Sequence, residues 1–322
     1  MNDQMTSDTP VSGTALISRN GIYDLTNAQY HGQPCDGPSV SASGLKMIIG
    51  ESPAAFWRQS DLNPAGERGP QKPAFRIGSA AHTLLLEPEK IAAEIAVIPQ
   101  AMLAVNGSTN TSAAKEFIAD AIYNGKTPIK PGEWLDIQHM RDALAAHPHA
   151  RRALTKGKPE VSLIMRDAAT GVWLKSRPDF MPESSGFYIV DYKTTADLSS
   201  WDKAACIDLR YDIQAALMLW AAREVAGIEP KGILYLVQEK KPPFQVAMLA
   251  FSVDNIGTRA LLDCARLDLR QAIDTFDICL KTGNWPTGYE LPREITPPGW
   301  HQKSAEFRLE QTSYSFEDAY RV

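Results

Sequence analysis

Three apolar runs joined by two short turns constrain this chain more than any other feature of its sequence. Glu160 to Arg166 reads E-V-S-L-I-M-R, Val172 to Phe180 reads V-W-L-K-S-R-P-D-F, and Phe187 to Lys193 reads F-Y-I-V-D-Y-K. Ala169-Thr170-Gly171 and Ser184-Ser185-Gly186 supply turn chemistry between them, so the runs predict an antiparallel meander. Asp179 and Asp191 fall at or near the inner ends of two of these strands, and Lys193 follows Asp191 by two positions. Side chains at i and i+2 share a strand face, so Asp191 and Lys193 point into one space, with the Tyr192 carbonyl near them. Two acids, a carbonyl and an ammonium converging is what a hard divalent cation and an attacked phosphate require.

The same residues have a plainer account, a cross-strand salt bridge on a solvated face, which contributes little. Ile189-Val190 argues against it, because it sets Asp191 at the end of a buried strand. Burying neighbouring carboxylates is costly unless a cation or hydrogen bonds compensate. Glu160 opens the first strand of the meander, from which its carboxylate can reach the edge that holds Asp179.

Residues 1–22 read as a flexible polar tail and Tyr23 to Pro38 as an extended arm. S-A-S-G-L-K-M-I-I-G predicts a helix capped by Ser41 or Ser43 and ended by Gly50. Pro53 suits the first position of a second helix. Asp61 to Pro73 is a loop, and helices are predicted over Phe75–Glu87, Ser112–Asn124 and Gly132–His147. After the meander come a helix over Ser199–Ala226, strands over Gly232–Val237 and Gln245–Phe251, and a helix over Asp254–Lys281. This order predicts an α/β domain over 23–290 with a mixed central β-sheet flanked by helices. Residues 23–158 are its mainly helical part and 159–283 its core sheet and helices; 291–322 form a C-terminal tail, with the Pro-, Trp- and Tyr-rich stretch from Pro286 wrapping the body.

The chain has 322 residues and a net charge of −5. That balance argues against a protein that coats nucleic acid non-specifically, while leaving room for a DNA enzyme with a locally positive groove. No apolar run approaches the roughly 18 residues a membrane span needs, and no secretory signal pattern opens the chain, so the cytoplasm is the expected location. Cys35, Cys206, Cys264 and Cys279 are scattered without a C-x-x-C, as reduced structural thiols are.

Other candidates carry weaker signals. His82 lies in G-S-A-A-H-T-L-L-L-E, where a lone histidine is ordinarily a satisfied core residue. Tyr211 and Gln214 lie three apart, on one helix face. They are either a polar stripe or a pair in which Gln214 orients a water or phosphate and Tyr211 contacts a nucleic-acid backbone. Basic residues cluster as Arg68/Lys72/Arg76, Arg151/Arg152/Lys156/Lys158, Lys175/Arg177 and Lys240/Lys241. Lys175 and Arg177 alternate on the strand that ends in Asp179, so they are expected to share its face and bring positive charge to the site. Ser41 or Ser43, at a helix N-terminus, can grip a terminal phosphate.

R-P-D ending at Asp179, V-D-Y-K-T-T from Val190 and Y-D-I-Q-A-A from Tyr211 together resemble the PD-(D/E)xK nuclease core. S-A-S-G-L-K from Ser41, S-P-A-A-F-W from Ser52, G-S-A-A-H-T-L-L-L-E-P from Gly78 and N-W-P-T-G-Y from Asn284 resemble the RecE-type exonuclease branch of phages and prophages. The resemblance spans about Tyr30 to Trp300, and no core residue departs from the pattern. It implies a Mg²⁺-dependent enzyme, with Mn²⁺ a possible substitute, that degrades one strand of linear double-stranded DNA from a 5′ end and leaves a 3′ single strand for recombination. It implies that Asp179, Asp191 and the Tyr192 carbonyl bind metal and that Lys193 positions and polarises the attacking water. Glu160 and His82 complete the site, at a metal or at the scissile phosphate, and Tyr211 and Gln214 match the family's Y-x-x-Q helix. A ring-shaped homo-oligomer and a single-strand annealing recombinase partner are further implications. An endonuclease with the same site, or a non-catalytic DNA-end-binding scaffold, are the competing expectations.

Overall fold

The computed structural model describes residues 16–67, 73–292 and 294–311. Arg68 and Lys72 of the first basic cluster, and residues 1–15 of the expected tail, lie outside the described residues. The chain divides into two compact units, Met1–Trp285 and Pro286–Val322.

In chain order the strands are β1 (Gly21–Tyr23), β2 (Ser39–Ser41), β3 (Ile95–Val97), β4 (Thr127–Ile129), β5 (Gly157–Pro159), β6 (Ser162–Arg166), β7 (Trp173–Ser176), β8 (Phe180–Pro182), β9 (Ile189–Thr195), β10 (Gly232–Glu239) and β11 (Val246–Ser252). The helices that matter for the site are α1 (Asn27–His31), α2 (Ala42–Gly50), α3 (Pro53–Gln59), α4 (Pro73–Leu86), α5 (Pro131–Ala146), α6 (Tyr211–Ala226) and α7 (Ile256–Thr282). The second unit contains α8 (Gly299–Gln311), where the sequence suggested only a tail.

The α/β class with mixed sheets flanked by helices holds. The order β11-β10-β9-β8-β5 forms one sheet, in which β9 and β10 run parallel and the other pairs antiparallel. The order β1-β6-β7-β2 forms another, and β3 pairs with β4. The expected meander is therefore divided: β6 and β7 are a hairpin in one sheet, while β8 and β9 belong to the other. The chain changes sheets at Arg177-Pro178, where proline has no N–H with which to extend the β7 ladder. Glu160 consequently does not open a strand. It sits between β5 and β6 with φ 53°, a left-handed conformation uncommon outside glycine.

Two helical expectations change. Ser199–Ala226 is broken into a turn at Trp201–Lys203, a wide π-type turn at Ala204–Asp208, and α6. Arg210, at φ 46°, marks the break; its guanidinium reaches Asp212 Oδ2 at 2.9 Å and Asp268 Oδ2 at 2.5 Å, which holds the strained residue in place. The segment Tyr23 to Pro38 is not simply extended. Thr26 and Gln29 form a capping box that starts α1, and the chain already joins the fold at Ile17, which is buried and bridges to Cys35.

The five-stranded sheet separates two cores, and β9 shows why. Its side chains alternate, so Ile189 packs with Leu45, Ile213, Leu217, Tyr235, Ile273 and Phe276 on the α2/α6/α7 side. Val190 and Tyr192 pack with Ala80, Ala81, Leu84, Ile137 and Met140 on the α4/α5 side. Small residues let helices approach closely: a Cβ on Gly78 of α4 would stand 3.0 Å from Thr194 Oγ1 at the end of β9.

Gly157 lies in β5, just before Glu160, and a Cβ there would fall 2.2 Å from the Met181 carbonyl oxygen. Gly157→Ala is expected to destabilise the protein by on the order of 2 kcal/mol, because backbone must move. Gly132→Ala, with open space around its Cβ, is the control that leaves the thermal melting midpoint unchanged.

Candidate active site

The start of β8, the middle of β9, the turn before β6 and helix α4 meet at one point. His82, on the α4 face that Gly78 and the alanines press against the sheet, places Nε2 3.0 Å from Asp179 Oδ1 and 3.1 Å from Glu160 Oε1. Ligand atoms of His82, Glu160 and Asp179 all lie within 4.8 Å of one another. Asp179 Oδ2 accepts a 2.6 Å hydrogen bond from the Tyr192 amide, which locks the carboxylate to β9.

Beside this group sits a second one. Asp191 is fully buried; its Oδ1 contacts Lys193 Nζ, and its Oδ2 accepts a 2.9 Å hydrogen bond from Gln214 Nε2 on α6. Lys193 Nζ also lies 5.4 Å from the ring centroid of Tyr211. That ring is fixed by stacking on Tyr235, and the Tyr235 hydroxyl donates to the Tyr211 carbonyl at 3.1 Å. Tyr192 points to the opposite face, where its hydroxyl donates to Gln238 Oε1 at 2.7 Å, while Gln238 Nε2 donates to the Met140 carbonyl at 2.8 Å. Gln238 is thus a buried anchor for the strand that carries both catalytic candidates, and nothing but its polarity inside an apolar run signals it.

The electrostatics follow from burying acids together. Burial, then the charge of Asp179, push Glu160 up to about 7 and Asp191 up to about 6. Burial pushes His82 down, but Asp179 and Glu160 outweigh it and raise the imidazole to about 9. Burial opposes the charge on Asp179 as well, yet His82 and Lys193 hold its carboxyl below the usual range. For Lys193, burial is overcome by Asp191 and Asp179, so the ammonium stays above its ordinary value.

The donor set fits a divalent cation. Two carboxylates and an imidazole converge, and the buried Glu160 Oε1 accepts no hydrogen bond. His82 would join such an ion through its imidazole nitrogen once its raised affinity for a proton is overcome.

The outlying candidates fare differently. Lys175 is a correction: it is buried, and its ammonium donates to the main-chain carbonyls of Tyr30 at 2.8 Å and Gly32 at 2.5 Å, so it does not face DNA. Arg177 is likewise drawn inward, donating to Leu25 O at 2.6 Å and Ser162 Oγ at 2.8 Å, with Tyr30 stacked 4.2 Å from its guanidinium carbon. It keeps one contact with the site, 3.8 Å to Glu160 Oε2. Ser41 occupies the N-cap of α2 but makes no side-chain capping bond, and Ser43 is exposed in the first turn. Arg76 lies on α4, six residues before His82 and half-buried.

Metal-free protein holds protons at this site more tightly than the unfolded chain does. Glu160 and His82 have raised folded pKa values, so their contribution to stability is lost as pH climbs through about 7 and about 9. The melting midpoint in EDTA is expected to fall between pH 6 and pH 9. A divalent cation must displace the His82 proton, so the stabilisation it adds is expected to grow over the same interval; melting scans with and without Mn²⁺ measure both.

Comparison with known proteins places the fold and the family. The profile of a PDDEXK-like domain of unknown function (DUF3799) matches residues 41–291. A crystal structure of a "putative exonuclease" from Eubacterium rectale superimposes with a TM-score of 0.55 at 16% identity, covering 88% of this chain and 99% of that one. No curated protein matches the chain. The match runs through the strands and helices that assemble His82, Glu160, Asp179, Asp191 and Lys193, and the chain belongs to this PDDEXK-like family.

Proposed function

We propose that this protein is a metal-dependent exodeoxyribonuclease of the RecE type, which hydrolyses the 5′-ended strand of linear double-stranded DNA and leaves a 3′ single strand. The observation that carries the proposal is the convergence of His82, Glu160 and Asp179 beside a buried Asp191–Lys193–Gln214 group. Mg²⁺ is the proposed ion, with Mn²⁺ able to replace it because an imidazole is among the donors. When bound, such an ion supplies Lewis-acid stabilisation of the charge that grows on an attacked phosphate.

The chain's own groups supply the rest. Asp179, Glu160 and deprotonated His82 would hold the ion, with Asp191 and the Tyr192 carbonyl proposed as further ligands. The raised pKa of Lys193 keeps it an ammonium at neutral pH, so it acts as a positive hydrogen-bond donor to the attacking water, not as a base. Gln214 and the Tyr211 ring fix Asp191 and Lys193 from the other side of the strand ends, and such fixation matters because misplacement by about 1 Å can cost 100-fold. A ring-shaped oligomer and a single-strand annealing recombinase that takes up the product strand complete the proposal.

End-labelled linear duplex incubated with Mg²⁺ is expected to release nucleotides from its 5′ ends, to be protected by EDTA, and to leave a covalently closed circle intact. Cutting of the circle would instead make the protein an endonuclease. Asp191→Asn and Lys193→Ala are each expected to lower the rate by at least 100-fold with the circular-dichroism spectrum unchanged. Wild-type digestion by either variant would remove the roles assigned to these residues.

A further inference from the structure

Lys46 of α2 belongs to none of the groups described so far, yet it stands beside them. Its ammonium lies 5.1 Å from the centroid of the Tyr211 ring, the same ring that carries Lys193 at 5.4 Å. It donates to the Leu209 carbonyl oxygen at 2.9 Å, at the end of the turn that precedes α6. The side chain is half-buried.

The acids near it are engaged elsewhere. Asp191 is taken up by Lys193 and Gln214, and Asp212 by Arg210. Among the described residues, no ion pair is formed by Lys46. A half-buried ammonium beside a second ammonium, with no carboxylate of its own, is unfavourable until an anion arrives. In keeping with this, burial and then the charge of Lys193 bring its pKa down to about 8. An ammonium has three donors, and the Leu209 carbonyl uses one.

We propose that Lys46 binds a backbone phosphate of the strand being hydrolysed, next to the scissile phosphate whose attacking water Lys193 holds, with Tyr211 as the shared ring beside both cations. The proposal rests on the nuclease function argued above. Lys46 is a substrate-binding residue in this scheme. The exposed Ser43, three residues earlier on the same helix face, borders the path the strand would take.

The competing account is that Lys46 only ties α2 to the Leu209 turn, and the test separates the two. Wild type, Lys46→Gln, Lys46→Met and Lys46→Arg are compared for cleavage of a short 5′-phosphorylated duplex with Mg²⁺. Binding of the same duplex in Ca²⁺ is followed across a NaCl series. The neutral variants are expected to raise KM about tenfold with kcat within about threefold. They are also expected to flatten the dependence of log K on log salt by about one unit, as loss of one phosphate contact does. Lys46→Arg is expected to restore both. Gln keeps a donor for Leu209; Met serves if the Gln variant melts early. Wild type that cleaves, with neutral variants matching its KM and salt slope, overturns the proposal alone. So does a loss confined to kcat with a lowered melting midpoint, which marks a structural tie. Wild type that neither binds nor cuts the duplex overturns the nuclease function and this proposal with it.

Discussion

A carboxylate with no exposure to water is the constraint around which this structure is arranged. Asp191 sits at the centre of the larger sheet, on a strand whose neighbours are apolar on both faces. An isolated charge there would be prohibitively unfavourable. Lys193 from the same strand and Gln214 from α6 compensate it, and both are themselves held: Lys193 by the Tyr211 ring, Gln214 by the burial of α6. Breaking one partner would strand the others, so the group is rigid through mutual dependence.

The two cores approach the strand ends from opposite sides, and each contributes one half of the site. The α4/α5 core delivers His82; the α2/α6/α7 core delivers Gln214, Tyr211 and Lys46. The sheet supplies the acids between them. The break at Arg210 belongs to this arrangement. An uninterrupted helix from Ser199 could not present the Leu209 carbonyl to Lys46 and start again at Tyr211 with its ring beneath the two lysines.

Much of this was legible in the chain because period-two patterning survives burial. Ile189-Val190-Asp191-Tyr192-Lys193 announces both the strand and the shared face of its two charged residues. His82 was legible only through the wider motif, since Glu160 and Asp179 lie far along the chain and no local spacing links them to it. The error at Lys175 has a physical source. Strand alternation was carried through Arg177-Pro178 to Asp179, but the chain changes sheets there, and residues before and after the proline need not share a face. The split of the Ser199–Ala226 helix was hidden because neither glycine nor proline marks the break. The contacts of Lys46, although it closes the S-A-S-G-L-K motif, and of Gln238 were hidden for a different reason: a single polar residue in an amphipathic or apolar stretch has no sequence signature of what it touches.

The inward-turned Lys175 and Arg177 have a consequence for the integrity of the chain. Their cationic heads are satisfied by backbone and side-chain oxygens of Leu25, Asn27, Tyr30 and Gly32. These lie some 145 residues upstream of them, in a segment that contributes no group to the chemistry. A copy clipped within this stretch would loosen the hold on two interior cations, one of them adjoining Glu160. Proteolytic nicking of the arm would therefore be felt at the acidic cluster itself, making the front of the polypeptide a support for a site assembled from residues far behind it.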